Sequence, residues 1–151
     1  MRELMPQQKK ALKYAKPLAR IALFMEMRLG KTTVAIRWAE AAGLRRILVL
    51  CPDAVKGAWK KELALELVAD EDVVDINGVG EIKRLEQASD PKVGKWFLMT
   101  YQSALYGQAV LDLQWDGIIL DESTHIRNPK AQITKLLQRK ADNFKHRAVL
   151  S

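Results

Sequence analysis

The amino-acid sequence predicts an α/β domain of three layers, in which helices cover both faces of a central parallel sheet. Short apolar segments recur along the 151 residues and indicate buried strands, and segments of helical periodicity lie between most of them. Strands that alternate with helices favour parallel pairing, since each helix can cross a sheet face and lead to the next strand. A chain of this length is enough for one compact domain, so we expect residues 1–151 to form a single unit.

Six apolar runs are predicted as strands, because each is short and almost uninterrupted by polar residues. They span residues 21–25, 47–51, 73–76, 96–99, 117–120 and 148–150. In open sheets of this kind, ligands bind beyond the carboxyl ends of the strands. Polar residues that directly follow these strands are therefore candidate site residues.

Helices are predicted from periodicity and from residues suited to helix ends. The first covers residues 31–42 and ends at Gly43, since glycine is favoured just after a helix. The second is expected to be capped by Asp53 and to carry one apolar, core-facing stripe, formed by Val55, Trp59, Leu63 and Leu67. A third is expected from Asn128-Pro129 onward, because asparagine caps helices and proline suits their first turn.

The composition indicates an intracellular protein with an attraction for polyanions. Lysine and arginine number 25 against 18 aspartate and glutamate residues, which gives a formal net charge of +7. Nucleic acid is the commonest polyanion in a cell, so the charge supports nucleic-acid binding without establishing it. A single cysteine excludes an internal disulfide, and no segment has the pattern of a membrane span or a secretion signal. We expect a cytoplasmic protein with no membrane partner.

The segment after the first predicted strand has the pattern of a phosphate-binding loop. Gly30-Lys31-Thr32 stands between that strand and the first helix. Glycine lets the backbone approach a phosphate closely, and the N–H groups at the start of a helix point at the anion. We expect Lys31 to reach the terminal phosphates of a nucleotide and the Thr32 hydroxyl to bind magnesium. Met25 stands where the general pattern has its first glycine.

An acidic pair follows the fifth predicted strand. Asp121 and Glu122 leave the apolar run 117–120 in the order that nucleotide hydrolysis requires after a phosphate loop. The first carboxylate can hold magnesium through a water, and the second can orient and deprotonate the attacking water. An acidic turn at a strand end is common by itself, but the two elements together predict a magnesium-nucleotide site.

Six sequence blocks, in order, resemble the motifs of the first RecA-like domain of superfamily-two helicases, and most closely the Swi/Snf-like branch of DNA translocases. The blocks are Pro6-Gln7-Gln8 (Q motif), residues 25–32 (phosphate loop), residues 48–52 with Trp59 and Glu62-Leu63 (motif Ia), residues 98–101 (motif Ib), residues 121–124 with 126–128 (motif II) and residues 149–151 (the opening of motif III). Together they cover almost the whole chain. The resemblance implies a RecA-like P-loop fold.

The resemblance also implies ATP and Mg²⁺ as cofactors, and DNA as a partner that is contacted through its backbone without sequence specificity. The nucleotide-binding residues that it implies are Gln8, which would read the adenine edge, and Arg28, Leu29, Gly30, Lys31, Thr32 and Thr33. Its catalytic residues are Lys31, Thr32, Asp121 and Glu122, with Thr32 and Asp121 at the metal. Its DNA-backbone residues are Pro52, Lys56, Thr100, Tyr101 and Ser103.

Three residues depart from the family pattern. Arg28 stands where the family usually has glycine, Thr124 replaces a histidine, and His125 occupies a position where a basic residue is common. These changes leave the phosphate chemistry intact and affect how nucleotide state would be relayed to DNA. The compact form suggests a phage or bacterial source.

The resemblance implies an ATPase that couples hydrolysis to movement on DNA, of which this chain is the ATP-binding half. ATP lies between two RecA-like domains in this family, and the second supplies an arginine finger. We therefore expect a fragment that ends at the start of motif III, lacks its partner domain and is nearly inactive alone. A non-catalytic ATP- or DNA-binding module is the alternative. A small-molecule kinase is disfavoured, since it would need neither Pro6–Gln8 nor Thr100-Tyr101.

Overall fold

The structure is a computed structural model, and it describes residues 3–25, 30–77, 81, 83, 96–122 and 131–151. Its strands are β1 (Arg20–Leu23), β2 (Ile47–Cys51), β3 (Val73–Asp75), β4 (Trp96–Thr100), β5 (Gly117–Leu120) and β6 (His146–Leu150). The six form one sheet in the order β1-β6-β5-β2-β4-β3, and every pairing is parallel. The predicted strands and the predicted parallel sheet are confirmed.

Five α-helices have both ends among the described residues; the first precedes β1, and the other four lie between strands. They are α1 (Pro6–Ala15), α2 (Lys31–Ala41), α3 (Lys56–Leu65), α4 (Tyr101–Tyr106) and α5 (Gln132–Lys140). The predicted starting residues Asn128-Pro129 lie outside the described residues, as do the candidate site residues Arg28 and Leu29 and the residues 124–127. Within the part of the chain that the structure describes, no helix is both long and apolar enough to cross a membrane.

Alternation along the strands builds a separate core on each face of the sheet. In β2, Ile47, Val49 and Cys51 pack beneath α1, α2 and α3, whereas Leu48 and Leu50 face α4 and α5. All five of these residues are fully buried, as a parallel sheet covered on both faces requires. The molecule therefore has the three layers that the sequence predicts.

Helices α2 and α3 are each followed by a residue in the left-handed backbone conformation, which is a glycine after α2 and a leucine after α3. After α2, the N–H of Gly43 donates to Glu40 O (3.1 Å) and Gly43 has φ +71°, which confirms the predicted glycine stop. After α3, the N–H of Val68 donates to Leu63 O (3.0 Å), and Leu67 takes the left-handed conformation with φ +65°. The predicted stripe is therefore wrong at Leu67, which is 73% exposed. Asp53 begins a short 3₁₀ turn and does not cap α3.

Candidate nucleotide and nucleic-acid site

The carboxyl ends of β1, β6 and β5 lie side by side at the same end of the parallel sheet. β6 pairs with both neighbours, and the residues that end β1 and β5, Leu23 and Leu120, pair with the successive β6 residues Leu150 and Val149. Beyond the strands, the N–H of Ser151 donates to Leu23 O (3.0 Å) and the N–H of Met25 donates to Ser151 O (3.3 Å). One strand, β6, thus separates the end of β1 from the end of β5, a span of roughly 10 Å at the usual strand spacing.

Gly30 is required by both backbone conformation and space. It begins α2 with φ +71°, a left-handed conformation that side chains rarely adopt. A Cβ at this position would lie 1.9 Å from Nε2 of Gln8. The side chain of Gln8 therefore closes over the start of α2, and only glycine leaves room for it.

Gln8 joins α1 to the phosphate loop. Its Oε1 accepts the N–H of Met5 (2.8 Å), and its Nε2 donates to Gly30 O (3.3 Å). The first bond closes the start of α1, because Gln8 is the third residue of that helix. The structure thus brings together two predicted nucleotide residues, Gln8 and Gly30. Both ends of the Gln8 amide are bonded to protein, so an adenine would have to compete for them.

Lys31, Thr32 and Thr33 form the first turn of α2. Their N–H groups precede the first intrahelical bond, which runs from Val34 N to Gly30 O (3.2 Å). Such groups at a helix start attract an anion. The side chains of Lys31 and Thr32 are half-buried, whereas Thr33 is buried and its hydroxyl donates to Glu62 Oε2 (3.1 Å) on α3. The Thr33 hydroxyl therefore joins two helices, and its backbone remains its means of contacting a phosphate.

Asp121 is a buried carboxylate with fixed partners. Its Oδ2 accepts the indole N–H of Trp59 (2.7 Å), and its Oδ1 accepts the N–H of Glu122 (2.8 Å). Its main chain is held as well, because the N–H donates to Leu50 O (2.9 Å) and the carbonyl accepts the Tyr101 hydroxyl (2.6 Å). A carboxylate has about four acceptor positions, so two remain for a further ligand.

Glu122 has an unusual backbone conformation. With φ +48° it is one of two described residues other than glycine in the left-handed region, the other being Leu67. Such strain persists only where neighbouring bonds hold the chain in place. The bonds on Asp121 do so here, and they turn Glu122 to a half-buried position at the edge of the sheet.

The five predicted DNA-backbone residues line one cavity of about 580 Å³, beyond the carboxyl ends of β2 and β4. They are Pro52, Lys56, Thr100, Tyr101 and Ser103. Thr100 caps α4, since its Oγ1 accepts the N–H of Ser103 (3.0 Å) and donates to Ser103 Oγ (2.9 Å). Residues from two of the sequence blocks, with Lys56 and Ser103 beside them, therefore line a single groove.

Lys56 lies in this groove but is not the free cation that the sequence suggests. Its side chain is buried, and its ammonium donates to Asp75 Oδ1 (2.7 Å), Ile76 O (3.0 Å) and Asn77 Oδ1 (3.3 Å). An ammonium has three donors, so these acceptors use them all. Hydroxyl and backbone groups would have to supply most of the contacts to a phosphate here.

Burial and the negative charge of Asp121 also act on two neighbours. They raise the pKa of Cys51 to about 12, so the group remains a thiol and is a poor nucleophile. They raise the pKa of Tyr101 above its usual range as well, which keeps its hydroxyl protonated and donating to Asp121. Cys51 is therefore a core residue, and Tyr101 connects the groove to the acidic pair.

Sequence reasoning placed Trp59 in the core and missed its bond to Asp121. Trp59 is buried, as predicted, and its ring lies 6.4 Å from that of Trp96. A buried indole N–H usually finds an acceptor, and that general preference was the only available signal. The partner could not be read from the sequence, since 62 positions separate the two residues along the chain.

Similar folds occur among solved structures. The Sulfolobus solfataricus SWI2/SNF2 ATPase core in complex with dsDNA superimposes with a TM-score of 0.81 at 23% identity, over 99% of this chain and 32% of that chain. The Sulfolobus solfataricus SWI2/SNF2 ATPase core domain gives a TM-score of 0.76 at 24% identity, over 99% and 31%. No protein-family model and no curated protein matches the sequence. The chain thus spans about a third of the length of these structures, and over that third it has the RecA-like fold of a Swi/Snf-type ATPase core.

Proposed function

We propose that this chain is the ATP-binding domain of a nucleic-acid-dependent ATPase that couples hydrolysis to movement on DNA. The observation that carries the proposal is that β1, which precedes Gly30–Thr32, and β5, which leads into Asp121-Glu122, lie parallel on either side of β6 and end at the same end of the sheet. Phosphate-binding amides and a carboxylate pair are the two parts that nucleotide hydrolysis needs. Likeness to a SWI2/SNF2 core in complex with dsDNA supports DNA as the polymer.

The residues that follow β1 and β5 are of the types that bind a magnesium nucleotide. Within the described residues, no group of three or more His, Cys, Asp or Glu side chains could hold a metal alone. Magnesium usually takes one or two protein oxygens, and phosphate and water complete its shell. Thr32 and Asp121 would provide those protein oxygens, Lys31 would bind the terminal phosphates, and Glu122 would orient the attacking water. The metal would neutralise charge on the phosphates.

The groove that contains Thr100, Tyr101 and Ser103 would hold the backbone of one DNA strand. Hydroxyl groups and backbone amides bind phosphate oxygens without reading bases. The net charge of +7 would add a sequence-independent attraction that weakens as salt is added. A second RecA-like domain of the same gene product would close over the nucleotide from the other side.

A second candidate is a module that binds ATP or DNA without turning over the nucleotide. No arginine stands among the described residues 30–33 and 121–122, which favours it, because the family resemblance assigns the arginine finger to another domain. The first candidate requires nucleotide binding before Glu122 can act on a water, whereas the second requires no hydrolysis. Nucleotide binding is therefore the step to test first.

Titration with a fluorescent ATP analogue in Mg²⁺ tests the proposal. Lys31→Ala should weaken binding by about tenfold or more, because it removes a charge that contacts the phosphates. Lys61→Ala is the matched control, since Lys61 is an exposed lysine on α3, and its affinity should equal that of the wild type. Equal dissociation constants for wild type and Lys31→Ala would contradict a nucleotide site at this loop.

A further inference from the structure

The Asp121 carboxylate accepts a hydrogen bond from the side chain of Trp59, which belongs to α3. The indole Nε1 of Trp59 lies 2.7 Å from Oδ2, and both side chains are almost fully buried. A bond from a neutral donor to an ionised acceptor in a buried setting is among the stronger hydrogen bonds in proteins. Oδ1 is held by the N–H of Glu122, so the carboxylate is fixed at both oxygens.

Packing determines where the indole of Trp59 can lie. The residue is on the buried face of α3 beside Leu63, and its ring packs against Trp96 at an interplanar angle of 35°. With the ring held by apolar neighbours, the direction of its single N–H is also set. The position of α3 therefore determines the orientation of the Asp121 carboxylate at the end of β5.

We propose that Trp59 is a positioning residue for Asp121. It holds the carboxylate in one orientation before magnesium and nucleotide bind, so that this rotamer need not be ordered at the moment of binding. Groups that bind metals or transition states are most effective when neighbouring bonds fix them in advance. This inference rests on the proposed function, since it assigns Asp121 to the metal of a magnesium nucleotide.

The test compares affinity for a fluorescent ATP analogue in Mg²⁺ with affinity in EDTA. The ratio of the two is the gain that depends on the metal. Trp59→Phe keeps an aromatic ring and removes the N–H, and it should reduce this gain by about tenfold while leaving the affinity in EDTA unchanged. Damage to the fold would instead lower both affinities together.

Trp115→Phe is the matched control. Trp115 is also buried and its indole N–H donates to Val110 O (2.8 Å), but it lies in the core on the other face of the sheet from Trp59. The variant should keep the wild-type gain within about twofold. A benzothienylalanine at position 59 supplies a second test should Trp59→Phe fold poorly, because it replaces only the N–H by sulfur.

The outcomes separate the inference from the function beneath it. Suppose that the wild-type protein binds the analogue better in Mg²⁺ than in EDTA, and that the variants at position 59 show the same gain. This result would overturn the role of Trp59 and leave the proposed function standing. A wild-type protein without nucleotide binding would overturn the proposed function, and the inference with it. A reduced gain at position 59 together with an intact gain in Trp115→Phe supports both.

Discussion

Gly30 occupies a position where the chain begins a helix, meets Gln8 and approaches the expected phosphates. Gly30→Ala places a Cβ 1.9 Å from Gln8 Nε2 and puts a side chain at φ +71°. We predict a loss of about 2 kcal/mol in the free energy of unfolding, from left-handed strain and from displacement of the Gln8 amide. Urea denaturation measures this loss.

A double-mutant cycle with Gln8→Ala separates the two contributions. Once Gly30→Ala has displaced the Gln8 side chain, removing that side chain should cost little more. The two losses should therefore be less than additive. Fully additive losses would mean that the contact between Gln8 and Gly30 does not exist in solution.

At the residue scale, candidate site residues could be proposed from the sequence, but the hydrogen bonds that hold them could not. Gly30, Lys31 and Asp121 were candidates because each follows a strand in a recognisable pattern. Gln8 bonds Gly30, Glu62 bonds Thr33 in the same helix turn as Lys31, and Trp59 bonds Asp121, and these three partners belong to distant parts of the chain. Lys56 on α3 illustrates the same limit, since its partner Asp75 lies on β3 and removes the free charge that its position suggested.

Among the elements, α2 and α3 offer a matched pair of helix ends. Leu67 takes the left-handed position after α3 that Gly43 takes after α2, and its side chain is largely exposed. We predict that Leu67→Gly raises the free energy of unfolding by about 0.5–1 kcal/mol, because glycine adopts this conformation without steric strain. Urea denaturation at neutral pH is the measurement.

Gly43→Ala is the reciprocal change. An added Cβ there meets nothing within 4 Å, so only the backbone conformation at φ +71° is affected. The free energy of unfolding should fall by about 1 kcal/mol. A destabilised Leu67→Gly would indicate that the leucine side chain makes a contact that outweighs its backbone strain.

Asp75 connects β3 to α3 through two lysines. Burial opposes ionisation of its carboxyl, but hydrogen bonds from Lys56 and Lys60 outweigh that effect and hold its pKa below the usual 3.8. Because the pKa is lowered on folding, the ionised group stabilises the fold above pH 4 or so, and this stability is lost as pH falls through the folded pKa.

We therefore predict that Asp75→Asn is less stable than the wild type at pH 7 and that the difference narrows toward pH 3. Urea midpoints of both proteins across this range provide the check. Asp70→Asn, which changes an exposed carboxylate nearby, corrects for the altered net charge. A difference that stays constant with pH would contradict the ion pairs.

The elements were largely predictable, and the exceptions have a physical cause. The six strands could be predicted because an apolar run that is buried on both faces can be recognised without knowing which strands pair with it. The end of α3 was missed because the apolar spacing continues to Leu67, while backbone bonds from Leu67 and Val68 close the helix earlier. Such a stop is normally marked by glycine, as at Gly43, and here it is not.

At the scale of the whole molecule, none of the described arginines lies at the carboxyl ends of β1 and β5, where we propose that nucleotide binds. Arg20, Arg45, Arg46 and Arg147 stand at the amino ends of strands, and Arg37 on α2 is paired with Glu66 at 3.1 Å. Arg139 lies in the last turn of α5, which leads back to the amino end of β6. The described residues therefore supply no finger toward a transferring phosphoryl group.

We predict that the 151-residue chain by itself hydrolyses ATP very slowly, even with DNA present. An arginine finger contributes on the order of a thousandfold or more to turnover. Steady-state phosphate release measures the rate, and Glu122→Gln reports any contaminating ATPase. Robust DNA-stimulated release that Glu122→Gln abolishes would show that the chain is self-sufficient.

The place of β6 also determines when the domain can assemble. β6 is the last strand along the chain, yet it lies between β1 and β5, and it is the only strand of the described sheet beside β1. During synthesis, β1 must wait without a partner until residues 146–150 leave the ribosome. Contacts between such distant segments form slowly, because loop-closure entropy must first be overcome. A nascent chain can therefore build β2 to β5 first, and the nucleotide that we propose would stabilise the domain only after β6 inserts.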